Sequence, residues 1–339
     1  MKKPKKLWVS ILQFFLGVLV VAGLGLLLVY LLPEPQGPDG WQTIRPPEEI
    51  MALLEVEQTI WVGGRDGIAV IDRATGDLQS WIEADVPLRY VSGFAADANL
   101  IWVGHEAGIS VFNNGQWKTM TMPDGLHGNQ VLGVYHSQDS GLWVGTTAGL
   151  AHLDQGHWKT YTQEDGLASN TVSVIFEDRQ KRLWIGNGVG RDGGLSMLEA
   201  GQWQTFTVQD GLPHHMVNDI AESVDGSLWF GTGFTIRGGA AHYDGTTWSS
   251  LTRDDGLAGE KVRSIFFEQP QIIWFGSEFD GLARNDGADW QIFTPKEGLA
   301  GWEVRSMLRD SRGDLWLGTE DGLTRIAARA LAGMARTGE

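Results

Sequence analysis

The side chains of this sequence that are best suited to binding chemistry are basic and aromatic residues in an acidic chain. The 339 residues include 26 lysines and arginines against 42 aspartates and glutamates, a formal net charge of −16. Guanidinium and ammonium groups form charge-assisted hydrogen bonds with anions, and a tryptophan ring offers a stacking surface for a sugar. The candidate ligand-binding residues are Arg191, Arg237, Lys261, Arg263, Trp302, Arg305, His214 and His215. The acidic balance makes nucleic acid an unfavourable partner.

Histidines are the next candidates, because the chain has no cysteine that could act as a nucleophile or metal ligand. His214 and His215 are the residues that could serve as a general base. His105 and His127 map to the same face but belong to other repeat units. Three more occupy repeated structural positions: His152, His157 and His242. Since no His-x-x-x-His pair or carboxylate pair has metal-ligand spacing, we predict no catalytic residue, no metal site and no cofactor.

A short element repeats seven times along the chain: an aliphatic residue, Trp, an apolar residue and Gly. Its tryptophans are Trp61, Trp102, Trp143, Trp184, Trp229, Trp274 and Trp316, separated by 41, 41, 41, 45, 45 and 42 residues. This period is typical of a β-propeller blade and is too long for a helical solenoid unit. We therefore predict an all-β fold, a seven-bladed β-propeller.

Each repeat unit predicts four antiparallel strands, a to d from the axis outward, because four β-prone runs are separated by Gly, Asp and Asn turns. A second tryptophan recurs in strand d, as Trp117, Trp158, Trp203, Trp248 and Trp290. We expect both tryptophan sets to pack between blades. The seventh unit has no strand d of its own, whereas residues 40–44 resemble the strand d at 115–120. An N-terminal strand is thus predicted to complete the last blade and remove its exposed edge.

The phrase Asp165–Asp178, followed by Leu183–Gly186, resembles the two-component regulator propeller repeat. Its Asp-Gly-Leu, Val-x-x-Ile and Leu-Trp-x-Gly elements recur in register over about residues 40–326. The resemblance implies an extracytoplasmic sensor propeller of the kind found in bacterial membrane histidine kinases, many of which respond to carbohydrates. A weaker similarity to streptogramin lyase-like propellers implies an enzyme as an alternative. The sequence contains no kinase, receiver or DNA-binding region, so we expect any signalling partner to act in trans.

The candidate residues lie where the sequence departs from the repeat on one face of the ring. The d-to-a and b-to-c loops share that face, where strand a enters the axial channel and ligands of propellers bind. Four extra residues in each b-to-c connection of blades four and five, at 187–193 and 233–238, bring Arg191 and Arg237 over it. The position-matched residues at the channel mouth are Ser92, Leu132, Ser173, Asn218, Arg263 and Arg305.

Two further candidates flank these positions. Lys261 lies beside Arg263, and Trp302 lies in the loop before Arg305. Two interpretations stay open for the basic groups: they bind an anionic ligand, or they form ion pairs with Glu260, Glu303 or Asp219. Trp302 is likewise either a stacking platform or a ring packed on a neighbouring blade.

Residues 7–32 predict one transmembrane helix, because this almost wholly apolar run is about 39 Å long at ~1.5 Å per residue. Its length favours an uncleaved signal anchor over a cleaved signal peptide. The lysines that precede it place the N-terminus in the cytoplasm and the propeller outside. The predicted organisation is a basic tail 1–6, a transmembrane anchor 7–32, a Pro/Gly linker 33–39, a propeller 40–328 and a C-terminal tail 329–339.

These observations predict a single-pass protein of a bacterial cell membrane whose extracytoplasmic propeller acts as a sensory or protein-interaction module. A small molecule or glycan on the loop face, or a signalling partner in the envelope, is the expected partner. The alternatives are a streptogramin lyase-like enzyme and a structural scaffold of an envelope complex. Turnover by the propeller alone would identify the enzyme.

Overall fold

The computed structural model describes residues 37–97, 100–126, 128, 130–188, 193–234 and 237–334. Within them, 28 strands form seven four-stranded antiparallel sheets, which confirms the predicted seven-bladed β-propeller. The predicted transmembrane segment 7–32 and the tail before it lie outside the described residues. Among the residues that are described, no helix has both the length and the apolar character needed to cross a bilayer.

The blades follow one another along the chain, and their first strands contact one another around the axis. Blade one contains β2 (Ile50–Val56), β3 (Thr59–Gly64), β4 (Gly67–Asp72) and β5 (Leu78–Trp81). Blade two contains β6 (Gly93–Asp97), β7 (Leu100–His105), β8 (Gly108–Asn113) and β9 (Gln116–Met120). Blade three contains β10 (Val131–Ser137), β11 (Gly141–Thr146), β12 (Gly149–Asp154) and β13 (His157–Tyr161).

Blades four to six repeat this order of strands. Blade four contains β14 (Val172–Glu177), β15 (Leu183–Asn187), β16 (Gly194–Glu199) and β17 (Gln202–Phe206). Blade five contains β18 (Val217–Glu222), β19 (Leu228–Phe234), β20 (Arg237–Tyr243) and β21 (Trp248–Leu251). Blade six contains β22 (Val262–Gln269), β23 (Ile272–Ser277), β24 (Leu282–Asn285) and β25 (Trp290–Phe293).

Blade seven joins the two ends of the domain. Its inner strands are β26 (Val304–Arg309), β27 (Leu315–Thr319) and β28 (Gly322–Ile326), and its outer strand is β1 (Trp41–Ile44). β1 runs antiparallel to β28, with Trp41 opposite Ile326 and Ile44 opposite Leu323. The predicted closure by the N-terminal strand is therefore confirmed.

A short helix follows the last strand. Residues 329–334 of the segment assigned to a C-terminal tail form most of α1 (Ala328–Met334). Leu331 is buried in the apolar cluster that also contains Trp274 and is packed by Trp41. The helix therefore covers the outer end of the closing blade.

The repeated tryptophans of strand b fill the junctions between blades. Six of the seven are buried, and Trp229 of blade five is half-buried. Their indole N–H groups find acidic partners in three blades: Trp184 donates to Asp178 over 2.8 Å, and equivalent bonds join Trp274 to Glu268 and Trp316 to Asp310. Burial of both the ring and its polar atom explains why the element repeats so strictly.

The Asp-Gly-Leu element turns the chain from the outer strand of one blade towards the axis. In the loop before blade four, the Asp165 carboxylate accepts from the Thr162 amide over 2.8 Å. Gly166 follows with a φ of 116°, and a Cβ there would lie 2.8 Å from Cβ of Trp203. Only glycine fits this conformation and this contact. Leu167 then enters the core between blades.

Candidate functional site

An axial cavity opens where the first strands begin. Two adjoining parts of it have volumes of about 270 and 280 Å³. One residue of each blade lines both parts: Met51, Ser92, Leu132, Ser173, Asn218, Arg263 and Arg305. We call these seven positions the axial ring. The structure places all six of the channel-mouth residues named from the sequence in this ring, and Met51 is the member that sequence reasoning missed.

A β-bulge explains why these side chains reach the axis. In six blades the register between strands a and b shifts across the ring residue, as between Val262 and Ser264 or between Val304 and Ser306. A bulge leaves one residue unpaired and turns its side chain away from the regular alternation of the strand. The missed signal for Met51 is its place directly after Ile50, equivalent to that of Arg263 after Val262.

Three polar members of the ring connect neighbouring blades. Ser92 donates from Oγ to the carbonyl of Val131 over 2.8 Å. Ser173 bonds in the same way to Val217 O over 3.0 Å, and Asn218 Nδ2 to Val262 O over 2.8 Å. The side-chain donors of Ser92, Ser173 and Asn218 are therefore used in hydrogen bonds between blades.

In blade six the inter-blade bond comes from the next residue. Ser264 donates from Oγ to Val304 O over 2.8 Å. The neighbouring ring position, Arg263, is therefore not required for this connection. Ser264 also lines one part of the axial cavity, beside Arg263.

The two arginines of the ring share one buried glutamate. Glu303 is 3% exposed. Its Oε1 accepts from Arg263 Nε over 2.7 Å, and its Oε2 accepts from Arg305 Nη2 over 2.6 Å. Burial disfavours the charge of Glu303, but the guanidinium groups of Arg305 and Arg263 hold its pKa below its usual value. Ion pairing, the second interpretation of the basic groups, is therefore present for both arginines.

The two arginines differ in what remains for a ligand. Arg305 also donates from Nη1 to Glu49 over 2.5 Å, so it contacts two carboxylates. Arg263 bonds through Nε, and within the described part of the chain its two Nη atoms have no hydrogen-bond partner. Its side chain is 24% exposed and lines the axial cavity. Arg263 thus retains both Nη groups for an anion, whereas the unpartnered Nε of Arg305 is buried.

Lys261 is held away from solvent. Its side chain is 4% exposed and forms an ion pair with Glu278. Its Nζ also lies 5.7 Å from the ring centroid of Phe234. Burial lowers the pKa of Lys261, although Glu278 opposes that effect. Lys261 therefore makes its contacts within the protein, beside the junction of blades five and six.

The extended connection of blade five continues its sheet. Gly233 pairs with Gly238 and Phe234 with Arg237, so residues that the sequence assigns to a loop lengthen the hairpin of β19 and β20. Arg237 is exposed at this end. Arg191, the matching candidate in blade four, lies outside the described residues.

The two candidate histidines sit below this hairpin. The rings of His214 and His215 have centroids 6.2 Å apart. The amide of Met216 donates to His214 Nδ1 over 2.9 Å, and burial, followed by the nearby charges of His215, Lys261 and Arg237, lowers the pKa of His214. His214 is therefore uncharged at neutral pH.

Other histidines have structural roles. His105 is buried and bonded to Ser110, and burial lowers its pKa to about 4. His152 stacks on Trp143 with ring centroids 3.7 Å apart, and His242 lies against Trp229 at 4.7 Å. Both contacts agree with the structural positions expected for strand c. His127 lies outside the described residues. Across the described chain, no group of three acidic or histidine side chains is arranged to hold a metal ion.

Trp302 lies on the loop face and is 41% exposed. Its amide donates to Glu320 Oε1 over 2.7 Å, which fixes the loop before blade seven. Two aromatic residues that the sequence analysis did not single out, Phe234 and Phe279, are also exposed on this face, at 51% and 66%. The ring of Trp302 is thus accessible at this face, and its use as a stacking platform stays a prediction.

Asp219 adds an ionisable group to the wall of the axial cavity. It follows the ring residue Asn218 and accepts from the amides of Ile220 and Ile265 over 2.9 and 2.7 Å. Desolvation raises the pKa of Asp219 to about 7, although the two amides oppose the shift. Sequence reasoning considered this residue only as an ion-pair partner. The sequence did contain a signal for it. Asp219 is charged, whereas the equivalent position in the other blades is occupied by a small residue, an apolar residue or serine.

Comparison with known proteins places the repeats in a family. Residues 166–188, 211–234 and 300–321 match the two component regulator propeller family. Comparison with proteins of curated function finds no match.

Several solved structures share the fold. The extracellular domain of BT3049 from B. thetaiotaomicron, assigned as a hybrid two component system, matches with a TM-score of 0.71 at 19% identity, over 86% of this chain and 42% of that one. YCF48 from Cyanidioschyzon merolae matches with a TM-score of 0.62 at 13% identity, over 86% and 99% of the two chains. Virginiamycin B lyase from Staphylococcus aureus matches with a TM-score of 0.62 at 13% identity, over 84% and 97%.

The length of the match differs among these structures. This chain spans less than half the length of the B. thetaiotaomicron sensor chains that it matches. Identities this low establish a shared fold, whereas the matched sequence segments identify the repeat itself. Three segments of the chain match the two component regulator propeller family, and the described residues form a seven-bladed β-propeller.

Proposed function

We propose that this propeller is the ligand-recognition module of a sensory system outside the cytoplasm, and that its ligand binds at the axial ring. The observation that supports this proposal is the state of Arg263, which lines the axial cavity with two Nη groups that no described residue engages. The extracellular two-component domain that shares the fold supports an extracytoplasmic sensory setting. In this proposal residues 7–32 anchor the module to the membrane, and a partner carries the output.

The chemistry of the ring points to a small ligand with an anionic and an apolar part. Arg263 offers charge-assisted hydrogen bonds to a carboxylate. On other blades, Met51 and Leu132 contribute apolar surface to the same cavity. A carboxylate with an apolar body would use both walls, and an acidic sugar would use the arginine together with the exposed ring of Trp302.

The test compares ligands that differ in charge alone. We expect calorimetry on the full-length chain to detect hexanoate more strongly than hexanol, or galacturonate more strongly than galactose, with the difference reduced by salt. Arg263→Ala should weaken binding of the acidic probe by roughly 1 to 3 kcal/mol. Arg329→Ala, which removes an arginine that is 76% exposed on α1, is the matched control and should change nothing.

Two results would count against the proposal. Equal binding of the acidic and neutral members of both pairs would remove the role of Arg263, and so would an Arg263→Ala variant that binds as the native chain does. If His214→Ala instead abolishes turnover of a ligand, the lyase-type alternative replaces sensing.

A further inference from the structure

A second cavity, of about 510 Å³, lies between blades five and six. Its walls include Trp229 and His242 of blade five, and Phe267, Asn285 and Trp290 of blade six. None of its lining residues lines the axial cavity. Its volume falls within the range of small-molecule pockets, roughly 300 to 1,000 Å³. We refer to it as the inter-blade cleft.

Small residues in blade five explain why the cleft is open on one side. Cross-strand partners form a row on the face of each blade that carries the strand b tryptophan. In blade five this row is Ala221, Trp229, His242 and Ser249. The same rows are Phe176, Trp184, Met197 and Gln204 in blade four, and Phe266, Trp274, Arg284 and Gln291 in blade six. Small side chains at both ends of the row leave Trp229 half-buried, whereas Trp184 and Trp274 are fully buried.

The facing side of blade six has a matching departure. Its row is Phe267, Ile273, Asn285 and Trp290. The position of Asn285 is taken by Leu198 in blade four, Tyr243 in blade five and Ile326 in blade seven. A smaller, polar side chain thus replaces a large one at this junction. Both walls thus carry small side chains where other blades have large ones. The aromatic rings between these walls remain accessible.

Two aspartates contribute to the lining of the cleft. Asp225 lies at its edge, and hydrogen bonds from Ser227 hold the pKa of Asp225 below its usual value. Asp255 also contributes to the lining, and the amide of Thr252 lowers its pKa in the same way. Both carboxylates are therefore ionised at neutral pH. Among the residues that the structure describes, no lysine or arginine lines the cleft.

We propose that the inter-blade cleft binds an organic cation, an ammonium ion carried on a small apolar body. The faces of Trp229 and Trp290 attract a cation through their ring quadrupoles, and the attraction is stronger in a site with little water. The carboxylates of Asp225 and Asp255 add attraction of the same sign and disfavour anions. This ligand class is opposite in charge to the one proposed for the axial ring.

The experiment titrates the full-length chain with choline and with its neutral isostere 3,3-dimethyl-1-butanol, using calorimetry. Saturable binding of choline is expected, with the isostere at least about 5-fold weaker, the ratio that ~1 kcal/mol of cation–π attraction gives. Asp225→Asn should weaken choline binding several-fold. Arg263→Ala, at the axial ring, should leave choline binding unchanged, so failure of this proposal is separable from failure of the proposed function.

The decisive variant refills the cleft. The double variant Ala221→Phe and Ser249→Gln places Phe and Gln at the first and last positions of the blade five row. Blades four and six have these two residues at the equivalent positions. We expect this variant to lose at least 10-fold in choline affinity and to keep its far-UV circular dichroism spectrum. The proposal is wrong if a refilled or Asp225→Asn chain binds choline as the native chain does. It is equally wrong if the isostere binds as tightly as choline, or if choline shows no saturable binding at tens of millimolar.

Discussion

Nε of Arg263 in blade six lies 2.7 Å from Oε1 of Glu303, which stands at the entrance to blade seven. The other oxygen of the same carboxylate holds Arg305. One buried acid therefore determines the position of both arginines of the axial ring. The charge of Glu303 therefore affects both the affinity of the ring for an anion and the stability of the junction between blades six and seven.

Replacing Glu303 by Gln should separate these two effects. The variant leaves the partly buried Arg263 without a counter-charge and Arg305 with Glu49 alone, so we expect a loss of roughly 3 kcal/mol of unfolding free energy at pH 7. Because the pKa of Glu303 is lowered in the fold, the native ion pair stabilises above the usual glutamate pKa, and that stabilisation is lost as pH falls through the folded value. The gap between native and variant chains should therefore shrink in acid.

Urea denaturation at several pH values checks this prediction. Glu106→Gln, which changes an exposed glutamate, is the control and should leave unfolding unaltered. Anion binding at Arg263 should become tighter in Glu303→Gln. A variant as stable as the native chain at pH 7 would show that the two ion pairs contribute nothing net.

Asp219 should make stability depend on pH in the opposite sense. Its pKa is raised from 3.8 to about 7 by desolvation, so the folded chain holds this proton where the unfolded chain has released it. The contribution of Asp219 to stability is therefore undiminished below about pH 4, falls as pH rises towards 7, and is constant above that. Asp219→Asn should gain stability relative to the native chain across this window.

The direct measurement is the ¹³C shift of the Asp219 side-chain carboxyl against pH, assigned by comparison with Asp219→Asn. A midpoint near the usual aspartate value would contradict the expected shift. Asp254→Asn, at an exposed aspartate in the connection between blades five and six, is the matched control.

Removing the closing strand should weaken the whole ring. A chain that begins at residue 50 lacks β1 and with it Trp41, which packs 5.3 Å from Phe293 and closes the cluster around Trp274. Loss of a large aromatic residue alone costs roughly 3 to 5 kcal/mol. Thermal unfolding of this chain against one that begins at residue 37 is the comparison. Equal melting temperatures would show that β1 is dispensable.

The sidedness of the chain can be tested separately. If the four N-terminal lysines set the orientation, a reporter that works only in the cytoplasm should be silent when fused after Glu339. Changing Lys2, Lys3, Lys5 and Lys6 to Gln should raise its activity. Strong cytoplasmic activity from the native sequence would reverse the assigned orientation.

The parts of this fold that could be predicted are those that repeat. The spacing of Trp61 to Trp316 indicates seven blades, and the match of residues 40–44 to strand d indicates the closure, because packing between blades imposes the same residues each time. Equivalent positions also locate the axial ring. In a periodic sequence, the position of each strand within one repeat predicts its position in the next. A strand that is missing from one repeat can therefore be recognised elsewhere in the chain.

What could not be predicted depends on contacts between particular blades. Whether Arg263 and Arg305 are free or paired follows from the placement of Glu303 and Glu49, which belong to different connections. The inter-blade cleft likewise depends on which residues of blades five and six face each other, such as Trp229 and Asn285. Nothing in the sequence of one repeat indicates which side chain of the next repeat will face it.

The β-bulges of the inner strands separate the wall of the channel from the packing of the blades. Val262 and Ser264 hold blade six in place on either side of Arg263, while the ring residue between them takes no part in the ladder. Met51, Leu132 and Arg263 occupy equivalent positions in blades that are otherwise alike. Ring positions that lie on a bulge and donate no hydrogen bond to the backbone of the next blade, such as those of Met51, Leu132 and Arg263, can vary in charge and size without disturbing the sheet, and combinations of such substitutions would give the same scaffold many different specificities.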